Sequence, residues 1–372
     1  MWLFLSGFES NIALRASVDT EEVKEKGKAE MLRTIKLLYV VWESTTLCNL
    51  RCRHCYSNAA SRHPGELTTE EAKNVIDQLS DMGTLILALS GGEPLFRRDW
   101  EEIAKYASSQ DILVGIGTSG WTVDGDMARR IRDAGISRCT VSIDGASGIV
   151  HERMRPKSGS FERAVAAVRF LKDAGVRTIV GYTPTVLNIE DAYSMIEFAQ
   201  GLGADAVNLS EFVPTGRGSQ KLAPNRQQLK NVIEFWSKEK EAKKGKIDVF
   251  WHDCRVGEFL APEEKVKYVG CGAGTVLCRI TVDGKVAPCV TLPIVVGDLR
   301  KQSLREIWDT SDILTRIRDR ANIHGNCSKC ELLSSCGGCR AMAYAWTGDL
   351  FYGDPMCWIC PPAEKELLPV IS

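Results

Sequence analysis

No stretch of this 372-residue sequence approaches the ~18 consecutive apolar residues that a membrane-spanning helix needs. Neither sign of charge is in excess: 47 Lys and Arg stand against 48 Asp and Glu, a formal net charge of −1. That balance argues against a general affinity for nucleic acid or an anionic membrane. The start, Met1 to Phe8 (MWLFLSGF), is apolar but short; it lacks a basic leader and Glu9 follows at once, so no secretory signal is expected. The expected compartment is therefore the cytoplasm, where disulfides are rare. Against that background the fourteen cysteines are conspicuous. Thiols at short, regular spacings in a reducing compartment usually bind metal.

The length calls for two domains, and the composition, 44% hydrophobic and 26% charged, is that of a globular chain. Residues 1–37 read as an N-terminal extension. From Leu38 strands and helices alternate: Leu38–Thr45, Leu85–Leu89, Ile112–Ile116, Arg138–Ile143, Arg177–Thr183 and Ala206–Leu209 read as strands. Amphipathic helices fall between them, the first announced by the capping box Thr68-x-x-Glu71. Such alternation implies a parallel sheet. Roughly 175 residues are too few for a closed eightfold barrel, which needs ~250, so a partial (β/α)6 barrel of the TIM type over 38–220 is expected. Asn225–Lys244 is a long helix, placed in a linking segment, 221–250. From 251 to 372 the chain changes character: nine of the cysteines lie from Cys271 onward, with many Gly and Pro. A small domain stapled by metal is expected there.

The first cysteine group is Cys48-x3-Cys52-x2-Cys55, followed by Tyr56. It comes directly after the first strand, on the face where parallel β/α proteins build their active sites. Three thiolates are one short of the four that a [4Fe–4S] cluster takes, which leaves one iron open to a ligand. Zinc, with His54 as a fourth ligand, is the alternative, although structural zinc sites favour paired Cys-x2–4-Cys units. Further along, Ser90-Gly91-Gly92-Glu93-Pro94 ends the second strand. Its glycines permit close backbone approach, and Glu93 can pair with an amino group. Gly117-Thr118-Ser119-Gly120 ends the third strand and Ser142-Ile143-Asp144-Gly145 the fourth, with Arg155 beyond.

These motifs together resemble the radical S-adenosylmethionine (SAM) superfamily over residues 38–215. The resemblance implies that Cys48, Cys52 and Cys55 hold one [4Fe–4S] cluster whose open iron binds SAM. Reductive cleavage then gives a 5′-deoxyadenosyl radical that takes hydrogen from substrate. It implies cofactor contacts from Tyr56, Gly91, Gly92, Glu93, Pro94, Thr118, Ser119, Ser142 and Arg155, with Glu93 on the amino group of SAM and Arg155 on its carboxylate. Ser119 departs from the Asn common in the family. Thr185–Asn188, ending the fifth strand, are placed near adenine or ribose.

Towards the C-terminus, Cys271-x12-Gly284-x4-Cys289 is followed by Cys327-x2-Cys330-x5-Cys336-x2-Cys339 and Cys357-x2-Cys360. Thr281–Cys289 reads as a hairpin turning at Asp283-Gly284. The spacings leave zinc open, but the pattern resembles the SPASM domain, an auxiliary-cluster extension of radical SAM enzymes. That resemblance assigns Cys271, Cys278, Cys289 and Cys339 to one auxiliary cluster and Cys327, Cys330, Cys336 and Cys357 to another; one or two such clusters are expected. Here Cys336 and Cys339 are separated by two residues, Gly337 and Gly338, where the family has three. Cys360 is kept as a substitute for Cys357. Cys139 reads as a core thiol, Cys254 as either a ligand or a substrate-side group, and His54, His63, His151 and His324 as surface or satisfied histidines.

Within SPASM proteins, Glu43–Ser57, Phe212–Gly218, Pro288–Leu299 and Cys336–Asp349 resemble a haem-biosynthesis group, the enzymes of haem d1 synthesis and of the siroheme-dependent haem route. This implies decarboxylation or deacetylation of a tetrapyrrole side chain, with ferredoxin or flavodoxin as electron donor and Arg217 as a partner for a substrate carboxylate. The alternative is a maturase acting on a ribosomal peptide or a protein. Many of those carry a peptide-recognition domain of about 80–90 residues; only ~37 residues precede the first strand here, which weakens that reading without removing it. A non-catalytic iron–sulfur or zinc protein is the reading of another class.

Overall fold

A computed structural model describes residues 36–260 and 270–363; the expected extension over 1–37 lies almost wholly outside the described residues. Ten strands form one sheet in the order β10-β9-β8-β1-β2-β3-β4-β5-β6-β7. The first six are β1 (Tyr39–Thr45), β2 (Ile86–Gly91), β3 (Leu113–Thr118), β4 (Ile136–Ser142), β5 (Arg177–Tyr182) and β6 (Ala206–Ser210). Each pairs in parallel with the next. The helices between them are α1 (Thr69–Asp81), α2 (Trp100–Ser109), α3 (Gly125–Asp133), α4 (Gly148–Met154), α5 (Ser160–Asp173) and α6 (Met195–Gly201).

Local chemistry explains these boundaries. At the start of α1, Thr68 Oγ1 accepts from the Glu71 backbone N–H and Glu71 accepts from that of Thr68, so two orphan donors are satisfied. Ala72, Val75, Ile76 and Leu79 then recur at helical spacing and are buried. The expected helix over Ile189–Leu202 is divided: a 3-10 turn (Ile189–Tyr193) precedes α6.

Residues 221–250, read as a linking segment, belong to the barrel. Helix α7 (Arg226–Ala242) starts at a second capping box, Asn225 with Gln228. It buries Leu229, Val232, Ile233 and Trp236 at i, i+3, i+4 and i+7, and the Trp236 indole N–H donates to the Ala192 carbonyl. Its apolar stripe therefore lies on the sheet, and the next segment, β7 (Asp248–His252), pairs in parallel with β6. The signal was a short buried run, Val249-Phe250-Trp251, behind the Gly245 turn.

The C-terminal region adds to the same sheet. Strand β8 (Leu277–Ile280) pairs in parallel with β1, so that Cys278 stands beside Val40. β9 (Lys285–Ala287) returns antiparallel through the expected turn, with Gly284 at φ +83°, and β10 (Gly297–Asp298) follows. Helices α8 (Leu304–Thr310), α9 (Asp312–Arg318) and α10 (Arg340–Thr347) complete the fold. The main core lies between sheet and outer helices and takes in Trp42, Trp100, Trp236, Trp308, Cys139 and Cys278. A second, smaller core gathers Val213, Leu292, Cys339, Met342, Phe351 and Met356. Among the described residues no helix is long and apolar enough to cross a membrane.

Candidate functional site

The three cysteines of the first group lie on the loop leaving β1, and the loop is braced from two sides. From β2, the Gly92 N–H donates to the Thr45 carbonyl at 2.7 Å and the Glu93 N–H to that of Leu47 at 2.8 Å. A Cβ on Gly91 or Gly92 would stand 2.3 Å from the Thr45 or Leu47 carbonyl oxygen respectively. The double glycine is thus what lets β2 approach the cysteine loop. From beyond β6, the Arg217 N–H donates to the Cys55 carbonyl. The Arg217 guanidinium reaches the carbonyls of Cys52 at 3.0 Å and Ala59 at 2.7 Å and the Asn58 amide oxygen at 3.2 Å. Arg217, expected to meet a substrate carboxylate, is instead spent on holding this loop. Gly216 packs so tightly beside it that a Cβ would come within 2.4 Å of the Cys55 and Tyr56 carbonyls.

The thiols of Cys48, Cys52 and Cys55 stand close enough to influence one another: burial pushes Cys48 up to about 11, and Glu93, Cys52 and Cys55 add to the rise. The Leu50 N–H donates to Cys48 Sγ at 3.4 Å. Arg155 stands over Cys52, with Nη1 3.5 Å from its sulfur. Nε of Arg155 donates to Asp144 at 2.6 Å, and Nη2 lies 3.3 Å from His54 Nε2. Asp144 is fully buried. Burial pushes its carboxyl up, but Arg155, His54 and His151 outweigh that and hold it below the usual range. His151 is buried and His54 largely so; both are partnered, and each is pushed down to about 4 chiefly by loss of solvation. His63 and His324 lie at the surface.

Glu93, also fully buried, accepts from Thr118 Oγ1 at 2.8 Å, the Ser119 N–H at 2.8 Å and Ser119 Oγ at 2.6 Å. Burial pushes its carboxyl up, and these donors pull it down. Ser119 therefore has a clear task here: it fixes the Glu93 rotamer with both its hydroxyl and its backbone. Tyr56 hydrogen-bonds to Ser90 at 2.9 Å, and the two flank a cavity of about 230 Å³ within the barrel. Tyr39, Arg138, Asn208 and His252 also line that cavity. Arg138 crosses it beside Gly115, whose missing side chain makes the room: a Cβ there would touch the guanidinium stem at 3.4–3.5 Å. Pro94 opens the 3-10 turn after Glu93, and Ser142 ends β4. Thr185 and Asn188, expected near a nucleoside, bond to each other and to the Asp144 and Thr183 carbonyls; their polarity is consumed within the loop.

The C-terminal thiols separate into groups. Gly337 and Gly338 both adopt left-handed backbone, at φ +70° and +61°. They reverse the chain between Cys336 and Cys339, so that the two sulfurs turn towards different cysteine groups while Cys254 stands beside both. Cys336 joins Cys327, Cys330, Cys357 and Cys360, a set in which the thiols act on one another and Cys330 hydrogen-bonds to Cys360. Cys339 joins Cys271 and Cys289. Backbone N–H groups point at several of these sulfurs: Asp354 at Cys327 (3.2 Å), Gly338 at Cys336 (3.4 Å), Met342 at Cys339 (3.4 Å) and Cys360 at Cys357 (3.4 Å). Such donors suit thiolates that carry negative charge.

Two expectations change. Cys278, placed among the auxiliary ligands, lies in the main hydrophobic core with no exposure, and burial alone raises its thiol. Cys254, left undecided, hydrogen-bonds through its thiol to Cys336 and Cys339. Sequence spacing pointed to Cys278 because it lies between Cys271 and Cys289. Cys254 stands well before Cys271 in sequence and joins these thiols only through the fold.

The donor sets fit iron–sulfur clusters in kind: thiols only, three at the barrel mouth and larger groups behind. No three of the described thiols, carboxylates or imidazoles stand close enough to share a single metal ion. A cubane takes its ligands at its corners, and they need not.

A family model described as the radical SAM superfamily matches residues 42–199, and one described as an iron–sulfur cluster-binding domain matches residues 271–331. The chain is 36% identical over 340 residues to the AdoMet-dependent heme synthase of Methanosarcina barkeri, covering 88% of this chain and 97% of that one. It is 30% identical over 342 residues to the mycofactocin maturase of Mycolicibacterium smegmatis, covering 88% and 85%. Among solved structures, Streptococcus suis SuiB bound to S-adenosylmethionine superimposes with a TM-score of 0.71 at 17% identity, covering 87% of this chain and 78% of that one. At that identity the likeness shows the fold alone.

Proposed function

The chain belongs to the radical SAM superfamily as an enzyme related to AdoMet-dependent heme synthases, and from that premise we propose that it decarboxylates a side chain of an iron tetrapyrrole. The observation that carries this substrate is the 36% identity to a heme synthase over nearly the whole of both chains.

Cys48, Cys52 and Cys55 would hold the [4Fe–4S] cluster, which with SAM bound would supply a 5′-deoxyadenosyl radical. The chain's own residues do the rest. Arg155, held by Asp144 over Cys52, places positive charge beside the cysteine loop. Glu93, clamped by Thr118 and Ser119, offers a fixed carboxylate for an amino group. The barrel cavity, at about 230 Å³, is below the ~300–1,000 Å³ of ordinary ligand pockets. It admits a side chain rather than a macrocycle, and Arg138 gives its wall a positive charge suited to a propionate. On this reading the propionate side chain would lose one hydrogen atom, and its bond to the carboxylate would break. Carbon dioxide leaves, a vinyl double bond forms, and one electron passes to an external one-electron acceptor. Two auxiliary clusters, and a ferredoxin or flavodoxin as donor, complete the reading.

The test is anaerobic incubation with SAM, a strong reductant and an iron tetrapyrrole bearing propionates. The expected products are 5′-deoxyadenosine, methionine and a tetrapyrrole lighter by the elements of formic acid. Absence of 5′-deoxyadenosine refutes the chemistry. Its formation with the tetrapyrrole returned unchanged refutes the substrate.

A further inference from the structure

Family spacing assigns the fourth ligand of the auxiliary cluster beside Cys271, Cys289 and Cys339 to Cys278, but the strand geometry does not allow it. Along β8 side chains alternate between the two faces of the sheet. Arg279 faces the side on which the Cys289 segment lies, for its guanidinium donates to the carbonyl of Val290 at 2.7 Å. Cys278 is the preceding residue and points to the other face. There it stands beside Val40 and is packed into the main core that also holds Trp42 and Ile280. To reach a cluster it would have to leave that core, and β8 would have to leave β1.

Cys254 is where a ligand is needed. It follows β7 directly, at the end of the barrel strand nearest the cysteine-rich region. It packs with Cys289 against the smaller core that contains Cys339. The Cys336 thiol donates to its carbonyl at 3.0 Å, and the Cys271 N–H donates to the Cys336 carbonyl at 3.0 Å, so the segments carrying three of these cysteines are tied to one another. The next residue, Arg255, anchors the turn. Fully buried, it bonds to Asp253 and Glu211 from the barrel and to the Met356 carbonyl from the C-terminal region.

We propose that Cys254 supplies the fourth thiolate of the auxiliary cluster held by Cys271, Cys289 and Cys339, and that Cys278 is a core residue. This rests on the iron–sulfur reading of the C-terminal domain. The barrel itself then contributes a ligand, so the cluster stitches the end of β7 to the cysteine-rich region. Cys327, Cys330, Cys336 and either Cys357 or Cys360 remain for the second cluster.

The experiment uses the full chain with Cys48, Cys52 and Cys55 replaced by alanine, so that only auxiliary iron is counted, about eight per chain. Iron, acid-labile sulfide and the electron paramagnetic resonance spectrum of the reduced protein are measured for this parent and for added C254A, C254S or C278V. The expected result is loss of roughly half the iron in C254A and full retention in C278V. A full complement and an unchanged spectrum in C254A, or loss of half the iron in C278V, overturns the assignment. If C254A does not fold, C254S decides: altered g values support the assignment and an unchanged spectrum refutes it. Zinc in place of iron in the parent refutes the iron–sulfur reading and this assignment with it, whereas an iron-replete parent beside an unchanged C254A refutes this assignment alone.

Discussion

Replacing Gly92 with alanine adds one methyl group, and the structure says where it goes: 2.3 Å from the Leu47 carbonyl oxygen, 2.8 Å from the Leu47 carbonyl carbon and 2.9 Å from that of Thr46. Ordinary contact begins near 3.4 Å, so the loop must retreat by roughly 1 Å, and the obstacle is backbone with no flexible end to swing aside. Two hydrogen bonds cross this seam, Gly92 N–H to Thr45 and Glu93 N–H to Leu47. Losing both costs about 1–3 kcal/mol net, and overpacking adds about 1–3 kcal/mol. The expected outcome for G92A is therefore a loss of about 2–6 kcal/mol, concentrated on the loop that leads into Cys48. Iron counted after anaerobic reconstitution should fall by about one cluster, four irons, and 5′-deoxyadenosine formation should be lost. Gly117→Ala is the control: its Cβ would meet only Ser90 Oγ, at 4.0 Å, and iron content should be unchanged. A G92A protein that keeps its full iron and cleaves SAM at the normal rate would refute the reasoning, because it would mean the seam between β2 and the cysteine loop is not tight.

Asp144→Asn keeps a hydrogen-bonding side chain at the fully buried site but leaves the Arg155 guanidinium without its carboxylate; unfolding in urea should show a loss of about 3–5 kcal/mol. Arg255→Met leaves buried Asp253 and Asp354 beside Glu211 with no cation; a similar loss is expected, read by urea unfolding together with auxiliary iron content. His151 is pushed down to about 4 from 6.5 by burial, so the unfolded chain takes up its proton first. Its contribution to stability is complete above pH 6.5 and fades as pH falls towards 4. His151→Asn should flatten this part of the melting-temperature profile, by about 3 kcal/mol at most, and a profile unchanged from that of the parent would count against the buried neutral imidazole.

Much of the barrel was legible because its signals are local. The capping box at Thr68, the short apolar runs of β1 to β6 and the Asp283-Gly284 turn each depend on a few neighbouring residues, and all six expected strands stand within a few residues of their predicted ends. The cysteine loop after β1 and the GGEP turn after β2 were readable for the same reason, since parallel β/α topology brings successive strand ends to one face. Strand β7 was missed because a three-residue apolar run after a charged helix end is indistinguishable from loop until β6 offers an edge to pair with.

The sequence by itself determined the kind of chemistry: how many thiols there are, that they are grouped, that three of them share a short loop and that a carboxylate follows on the next strand. Only the tertiary structure decided which thiols stand together. Spacing along the chain does not specify the face of a strand, and the pairing of β8 with β1 turns Cys278 into the core while β7 delivers Cys254 beside Cys339. Likewise the fold alone turned Arg217 from a candidate substrate ligand into a brace for the cysteine loop, because the backbone carbonyls of buried Cys52 and Ala59 stood within its reach and had to be satisfied.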